Sequence, residues 1–167
     1  MDGFQIILNH FDMEISVCND KRAEFLRSIK NDLANVNIVS IYDLFNEQEI
    51  EMMKELTHKK ECFKNAFMIA STFHPTRGIK YVEGRVLVGN CLPIEHAWNK
   101  IGDKYFDATF EIALGLDVTK EVYALLREYD VCKVREILLK RKYYGEIYWY
   151  EKFHECFSEL KTTDLFT

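Results

Sequence analysis

The hydrophobic positions in the middle of the chain follow first a helical spacing and then an alternating one. Residues 62–73 (CFKNAFMIASTF) are apolar at intervals of three and four, which predicts a buried helix that begins at or just before Cys62. Residues 74–78 (HPTRG) predict its end, because proline disfavours helix at the preceding residue and glycine breaks the next turn. Residues 79–88 alternate as a strand does, and two more strands are predicted in residues 95–109 (EHAWNKIGDKYFDAT).

The segments before this central region give weaker patterns. Two short apolar runs in residues 4–17 predict an N-terminal strand or strand pair. Helical spacing, with Asn19 or Asp20 as the cap, predicts an amphipathic helix over about residues 20–35. A second helical pattern covers residues 47–60.

The C-terminal third is predicted to be largely helical. Thr119 is a suitable cap for a helix over residues 120–130, and residues 131–142 supply a further amphipathic run. The aromatic-rich segment that follows predicts ring packing against the core and a closing helix near residues 151–160. Helices on both sides of a small group of strands predict an α+β fold.

Composition narrows the class of protein. The 167 residues are 48% apolar and 29% charged, which favours one soluble domain over residues 1–167, with a catalytic-type core at about 60–112. The net charge of −5 argues against a nucleic-acid partner. No apolar run approaches the roughly 20 residues of a membrane span, and no signal sequence is evident. Five scattered cysteines indicate reduced thiols, so we expect a cytoplasmic protein without a membrane partner.

Residues 95–109 have a geometry that suggests a site. If Gly102-Asp103 is a two-residue turn, then His96, Trp98, Asp107 and Thr109 project from the same face, because side chains along a strand alternate. His96 and Asp107 become diagonal neighbours within hydrogen-bonding reach. A three-residue loop would break this parity, so the prediction depends on the turn. Thr109 itself is predicted to be an ordinary strand residue.

A histidine held by an aspartate through one ring nitrogen keeps the other nitrogen free to act as a base. An aspartate is also poorly suited to a strand interior unless it has a partner. The best candidate for the group that His96 activates is Cys62, because free amide N–H groups at a helix start stabilise both a thiolate and an oxyanion. The negative charge of Glu61 works against the thiolate.

These residues resemble a known family. The order of a helix-opening Cys62, YVEGRV (81–86), EHAWN (95–99) and YFDAT (105–109) is similar to the transglutaminase-like branch of the papain-like cysteine protease superfamily. The resemblance covers about residues 62–110, less than a third of the chain. It implies a papain-like core in which the helix carrying the cysteine packs on a small antiparallel sheet carrying His and Asp, with extra helices at both ends.

The same resemblance implies that Cys62 is the nucleophile, His96 the general base and acid, and Asp107 the residue that orients His96. A cysteine-dependent acyl transfer to water, as in a peptidase, deamidase or amidase, is the expected reaction on a protein or peptide, with no cofactor. An amine acceptor would give a transglutaminase. No glutamine or tryptophan upstream completes an oxyanion hole, so the Cys62 N–H and Asn65 are the candidate donors, and Trp98 is expected to line the site.

Structural alternatives exist for each of these residues. Cys62 alone would be a buried thiol, His96 a core histidine and Trp98 simple core packing. A zinc site from Cys62, Cys91 and His96 lacks closely paired ligands, so no metal is expected. A catalytically inactive protein-binding module that uses its tyrosine-rich surface is the alternative function. The basic run at 133–142 suggests a solvated helix face or, less simply, a site for an acidic partner. The oligomeric state is left open.

Overall fold

The computed structural model describes residues 2–157, which form a curved antiparallel sheet with helices packed around it. The helices are α1 (Gly3–Ser16), α2 (Asp20–Asp32), α3 (Glu47–Leu56), α4 (Cys62–Arg77), α5 (Val131–Arg141) and α6 (Tyr148–Cys156). The strands are β1 (Ala34–Val36), β2 (Lys80–Leu87), β3 (Pro93–Ile101), β4 (Lys104–Phe106) and β5 (Val122–Tyr129). The α+β class predicted from the sequence is confirmed.

The sheet curls until its two edges approach each other. Its strand order is β1-β5-β2-β3-β4, with every neighbouring pair antiparallel. The chain leaves β1 at one edge and reaches β4 at the other, where Ile38 forms a bridge with Tyr105 and the Val39 N–H donates to the Tyr105 carbonyl at 2.9 Å. The curvature encloses an inner cluster that includes Val82, Trp98 and Tyr123.

The outer face of the sheet is covered by two groups of helices. Alanines of α4, Ala66 and Ala70, share one buried cluster with Tyr81 of β2 and Ala97 of β3. Helices α1, α2 and α6 contribute to a second cluster with β5. Because strand side chains alternate, β2 and β3 send one set of residues inward and the next set outward to α4. This alternation fixes which polar residues meet inside the sheet.

Helix α4 begins at Cys62, as predicted, but it ends later than predicted. Pro75 lies inside the helix, which continues to Arg77. It ends where Gly78 adopts a left-handed φ of 62° and donates its N–H to the His74 carbonyl at 3.0 Å. The Arg77 guanidinium donates to the Leu44 carbonyl at 2.7 Å, which anchors the last turn that follows the proline.

Two element predictions are wrong. Residues 4–17 form α1 instead of strands, because Ile7 and Phe11 are spaced by one helical turn, are both buried, and follow an Asp2 cap. The predicted helix at 120–130 is strand β5. This strand lies between β1 and β2 with apolar residues on both faces, so it lacks the alternation that identifies a half-exposed strand.

The remaining helices agree with the predictions in position. Helix α2 is capped by Asn19 and ends at Asp32, and α3 ends at Leu56. Helix α5 is confirmed, and α6 begins a few residues before the predicted closing helix, whose residues 158–160 lie outside the described residues. Across residues 2–157, the helices are all too short or too polar to cross a bilayer.

Candidate active site

The hairpin between β3 and β4 brings His96 and Asp107 together. Ile101 faces Lys104 and Asn99 faces Phe106 across a two-residue turn, as predicted. The His96 Nε2 lies 2.6 Å from Asp107 Oδ2, and both side chains are buried. Asp107 is not mid-strand, however, because β4 ends at Phe106 and Asp107 is the first residue beyond it.

The backbone after Asp107 explains why this carboxylate is well held. Residues Thr109–Ala113 form a π-helical turn, so Thr109 is not the strand residue that was predicted. The Phe110 N–H donates to Asp107 Oδ1 at 3.1 Å. The Tyr123 hydroxyl donates to Oδ2 at 2.9 Å, so both carboxylate oxygens are hydrogen-bonded.

Tyr123 is a site residue that sequence reasoning missed. It lies on β5, a segment predicted to be helical, and therefore no parity argument connected it with the hairpin. Its hydroxyl holds the same oxygen of Asp107 that accepts from His96. The local signal was the Val122-Tyr123 pair, since β-branched and aromatic residues favour strands.

Trp98 lies beside His96 inside the curved sheet. Its ring stacks near His96, with centroids 6.2 Å apart, and contacts Tyr123 edge-on at 5.2 Å. Gly84 lies opposite His96 on β2, and a Cβ there would come within 2.5 Å of the Trp98 ring and 2.1 Å of the Ala124 carbonyl oxygen. A glycine at this position therefore allows β5, β2 and the indole to pack closely.

Cys62 is placed beside His96 by the N-terminus of α4. Asp107 occupies Nε2 of His96, which leaves Nδ1 as the nitrogen available to the sulfur. Burial opposes the protonation of His96, but the charge of Asp107 and hydrogen bonds to Asp107 and Cys62 raise the His96 pKa to about 10. Cys62 remains partly exposed, unlike its two partners. The arrangement supports a protonated His96 beside a sulfur that a ligand can reach.

The start of α4 leaves backbone donors near the sulfur. Within the described residues, no side chain caps the first turn of this helix. The N–H groups of that turn have no carbonyl acceptor within the helix. The carboxylate of Glu61, which was expected to oppose a thiolate, forms a 2.7 Å ion pair with Lys64. This hydrogen bond lowers the pKa of Glu61, and the lysine offsets its charge at a half-exposed position.

Asn65 is buried but is engaged elsewhere. Its Nδ2 donates to the His58 carbonyl at 2.7 Å and to Thr109 Oγ1 at 3.2 Å, while its Oδ1 accepts from the His58 N–H at 3.1 Å. Both amide hydrogens are therefore occupied, and Asn65 offers no free donor for an oxyanion. It ties the loop before Cys62 to the turn after Asp107, which positions Cys62 and Asp107 relative to each other.

A hollow of about 670 Å³ is lined by residues adjacent in sequence to Cys62 and His96. Phe63, the neighbour of Cys62, and Glu95, the neighbour of His96, form one side of it. The other side comes from the connection between α5 and α6 and from α6 itself, where Tyr143, Tyr144 and Tyr150 are exposed. The tyrosine-rich segment therefore borders the site rather than the core alone.

Comparison of the chain with protein-family models, with curated proteins and with solved structures returned no match. Within residues 2–157, no three His, Cys, Asp or Glu side chains are grouped as a metal site would need. Cys91, the third ligand of the zinc alternative, lies exposed in the turn between β2 and β3.

Proposed function

We propose that this protein is a cysteine-dependent acyl-transfer enzyme of the transglutaminase-like, papain-like type, most simply a hydrolase of an amide bond in a protein or peptide. The observation that carries the proposal is the convergence of three side chains from separate elements. A partly exposed Cys62 at an uncapped helix start meets a buried His96, which is held by Asp107 at 2.6 Å. If Cys62, His96 and Asp107 had separate structural roles, they would not need to contact one another in the series Cys–His–Asp.

The reaction follows from the positions of the protons. The Cys62 thiolate attacks the carbonyl carbon, and the resulting oxyanion is stabilised by the Cys62 N–H at the start of α4. The His96 imidazolium donates its proton to the leaving nitrogen, the carbon–nitrogen bond breaks, and an acyl-enzyme thioester remains. Neutral His96 then takes a proton from water, whose oxygen attacks the thioester and releases the acid and the thiolate. Asp107 keeps the ring oriented throughout.

Water is the proposed acceptor because it is abundant and because no feature of the described residues selects an amine. Transfer to an amine would use the same acyl-enzyme and would give a transglutaminase. The oriented histidine and the backbone donors support either outcome equally. The class of acyl donor, by contrast, depends on the surface beside Cys62.

Thiol reactivity tests the proposal. We expect iodoacetamide to alkylate Cys62 faster than the exposed Cys91, Cys132 and Cys156, although Cys62 is less exposed than these residues. His96→Gln should reduce the rate at Cys62 and leave the other three rates unchanged, as measured by peptide mass spectrometry. If Cys62 reacts no faster than the exposed thiols, or if His96→Gln has no effect, the proposed function is wrong.

A further inference from the structure

The hollow lined by Phe63, the neighbour of Cys62, continues into a second one. The first, which we call the near hollow, is lined in part by Phe63 and Glu95 and has a volume of about 670 Å³. The second, the far hollow, has a volume of about 420 Å³. Tyr143 and Tyr144 line both. The two hollows are therefore neighbours, and together they form a groove that leads away from the nucleophile along α5.

Three charged residues line the near hollow: Glu95, Arg141 and Glu146. Arg85 forms an ion pair with Glu146 at 2.6 Å and a longer one with Glu95 at 3.5 Å. Arg141 donates to the Glu146 carbonyl at 2.7 Å, and its guanidinium lies over the ring of Tyr143 at 4.4 Å. Arg85, which lies outside the lining, thus compensates both glutamates, and aromatic rings form most of the remaining wall. Such a hollow favours a large uncharged side chain.

The far hollow has a different character. Arg135 and Lys142 line it together with Leu138 and Leu139, and its lining includes no acidic residue. Among residues 2–157, neither Arg135 nor Lys142 has a carboxylate partner, whereas Lys133 on the same helix pairs with Glu151 at 3.4 Å. Leu139 is 72% exposed. Two cations without a carboxylate partner among the described residues therefore lie beside one exposed leucine, Leu139, and one half-buried leucine, Leu138.

From this contrast we propose that the groove binds a polypeptide segment in which a large aromatic or apolar side chain is flanked by acidic residues. The aromatic side chain occupies the near hollow beside Cys62, and the acidic residues face Arg135 and Lys142. The inference rests on the proposed function, because it assigns the substrate class of the same site. It also explains why the tyrosines and the basic helix, which the catalytic chemistry does not use, lie together.

Equilibrium binding tests the groove without turnover. The probe is a fluorescein-labelled peptide of about a dozen residues, long enough to span both hollows. It carries a central phenylalanine with paired aspartates on both sides, so that either chain direction can be accommodated. Binding to Cys62→Ala is measured by fluorescence anisotropy at low salt. We expect peptides with phenylalanine replaced by alanine, or aspartates replaced by lysines, to bind at least about tenfold more weakly.

A charge-matched pair of protein variants locates the site. In the Cys62→Ala background, Arg135→Glu/Lys142→Glu should weaken binding of the acidic peptide by about tenfold. Lys21→Glu/Lys140→Glu carries the same change in net charge at exposed positions outside both hollows, and it should bind within about twofold of the parent. Equal binding of all three peptides, or equal losses in both double variants, would overturn the proposal.

A competition experiment connects the groove to the nucleophile. In the otherwise unchanged protein, the acidic phenylalanine peptide should slow iodoacetamide alkylation of Cys62 but not of Cys91. Loss of peptide binding counts against the groove and leaves the thiol chemistry standing. An unreactive Cys62 counts against the proposed function and leaves the binding result standing, so the two failures are distinguishable. Binding without protection of Cys62 would overturn the assignment of the near hollow to the substrate.

Discussion

Glu83 and Asp107 are both fully buried carboxylates, but they lie on opposite faces of the curved sheet and have different partners. Asp107 faces inward and contacts His96, which Cys62 helps to keep protonated. Glu83 faces outward and accepts from neutral donors: the Tyr81 hydroxyl at 2.5 Å and the N–H groups of Ile147 and Tyr148 at 2.7–2.9 Å.

The two environments have different electrostatic consequences. Burial and the charge of Glu146 raise the pKa of Glu83 to about 8. Through its hydrogen bonds to the Ile147 and Tyr148 N–H groups, Glu83 joins the start of α6 to the sheet. Helix α6 in turn forms part of the wall of the near hollow. Asp107 instead contacts His96, which lies beside the Cys62 sulfur. The two carboxylates are equally buried, so their partners, and not their burial, distinguish them.

Matched amide substitutions should separate these roles most strongly. Asp107→Asn removes the charge that favours the His96 imidazolium, and we expect the rate of acyl transfer to fall by about 10²–10⁴. Glu83→Gln keeps an oxygen for the Ile147 and Tyr148 N–H groups, so the rate should stay within about twofold. The alkylation rate of Cys62 serves as the first readout. Comparable losses in both variants would remove the distinction.

Gly84 tests the packing that supports the inner site. In Gly84→Ala the new methyl would meet the Ala124 carbonyl oxygen at 2.1 Å, so neighbouring strands must separate. We expect a loss of about 1–3 kcal/mol in the free energy of unfolding, measured by denaturant titration. Gly89, which has open space around it but a left-handed φ of 56°, offers a comparison without the clash. A neutral Gly84→Ala would contradict the close packing around Trp98.

The dependence of stability on pH sharpens the comparison further. The folded-state pKa of Glu83, about 8, lies above its ordinary value of 4.5, so the folded state binds more protons and stability falls as pH rises between these values. Glu146, whose pKa burial raises to about 7, contributes with the same sign. The pKa of His96 is raised from 6.5, so His96 contributes to the pH dependence of stability only above pH 6.5. Each carboxyl group adds a slope of up to about 1.4 kcal/mol per pH unit between pH 4.5 and 6.5.

Glu83→Gln should therefore flatten the decline in stability between pH 4.5 and 6.5 without abolishing it, because Glu146 remains. Thermal unfolding followed by circular dichroism at several pH values gives the slope for each protein. The parent protein should lose stability with rising pH in this window. A rise in stability over the same window would show that Glu83 is ionised and well compensated in the folded protein.

The mutual placement of His96 and Asp107 could be predicted because it depends on local rules. A two-residue turn and the alternation of strand side chains place the two residues on one face, and the cysteine at a helix start completes the group. The rest depends on long-range pairing. Tyr123 joins Asp107 only because β5 packs beside β2, and a strand covered on both faces gives no alternating pattern.

The outer regions were harder to predict for a related reason. Helix α1 lies where short apolar runs suggested strands, and its helical spacing becomes clear only when the buried positions are known. The groove depends on Tyr143 and Tyr144 standing between two hollows, which no local pattern specifies. The amide of Asn65 was a reasonable oxyanion donor by position, but its partners in two distant segments occupy both hydrogens.

Acylation of the protein by an activated ester, such as p-nitrophenyl acetate, tests the central claim most directly. Exposure alone would direct the acyl group to Cys91, Cys132 and Cys156, which are more accessible than Cys62. If Cys62, His96 and Asp107 act together, peptide mass spectrometry should find one acyl group on Cys62, and Asp107→Asn should slow its appearance. Acylation in proportion to exposure, with Cys62 last, would contradict the account.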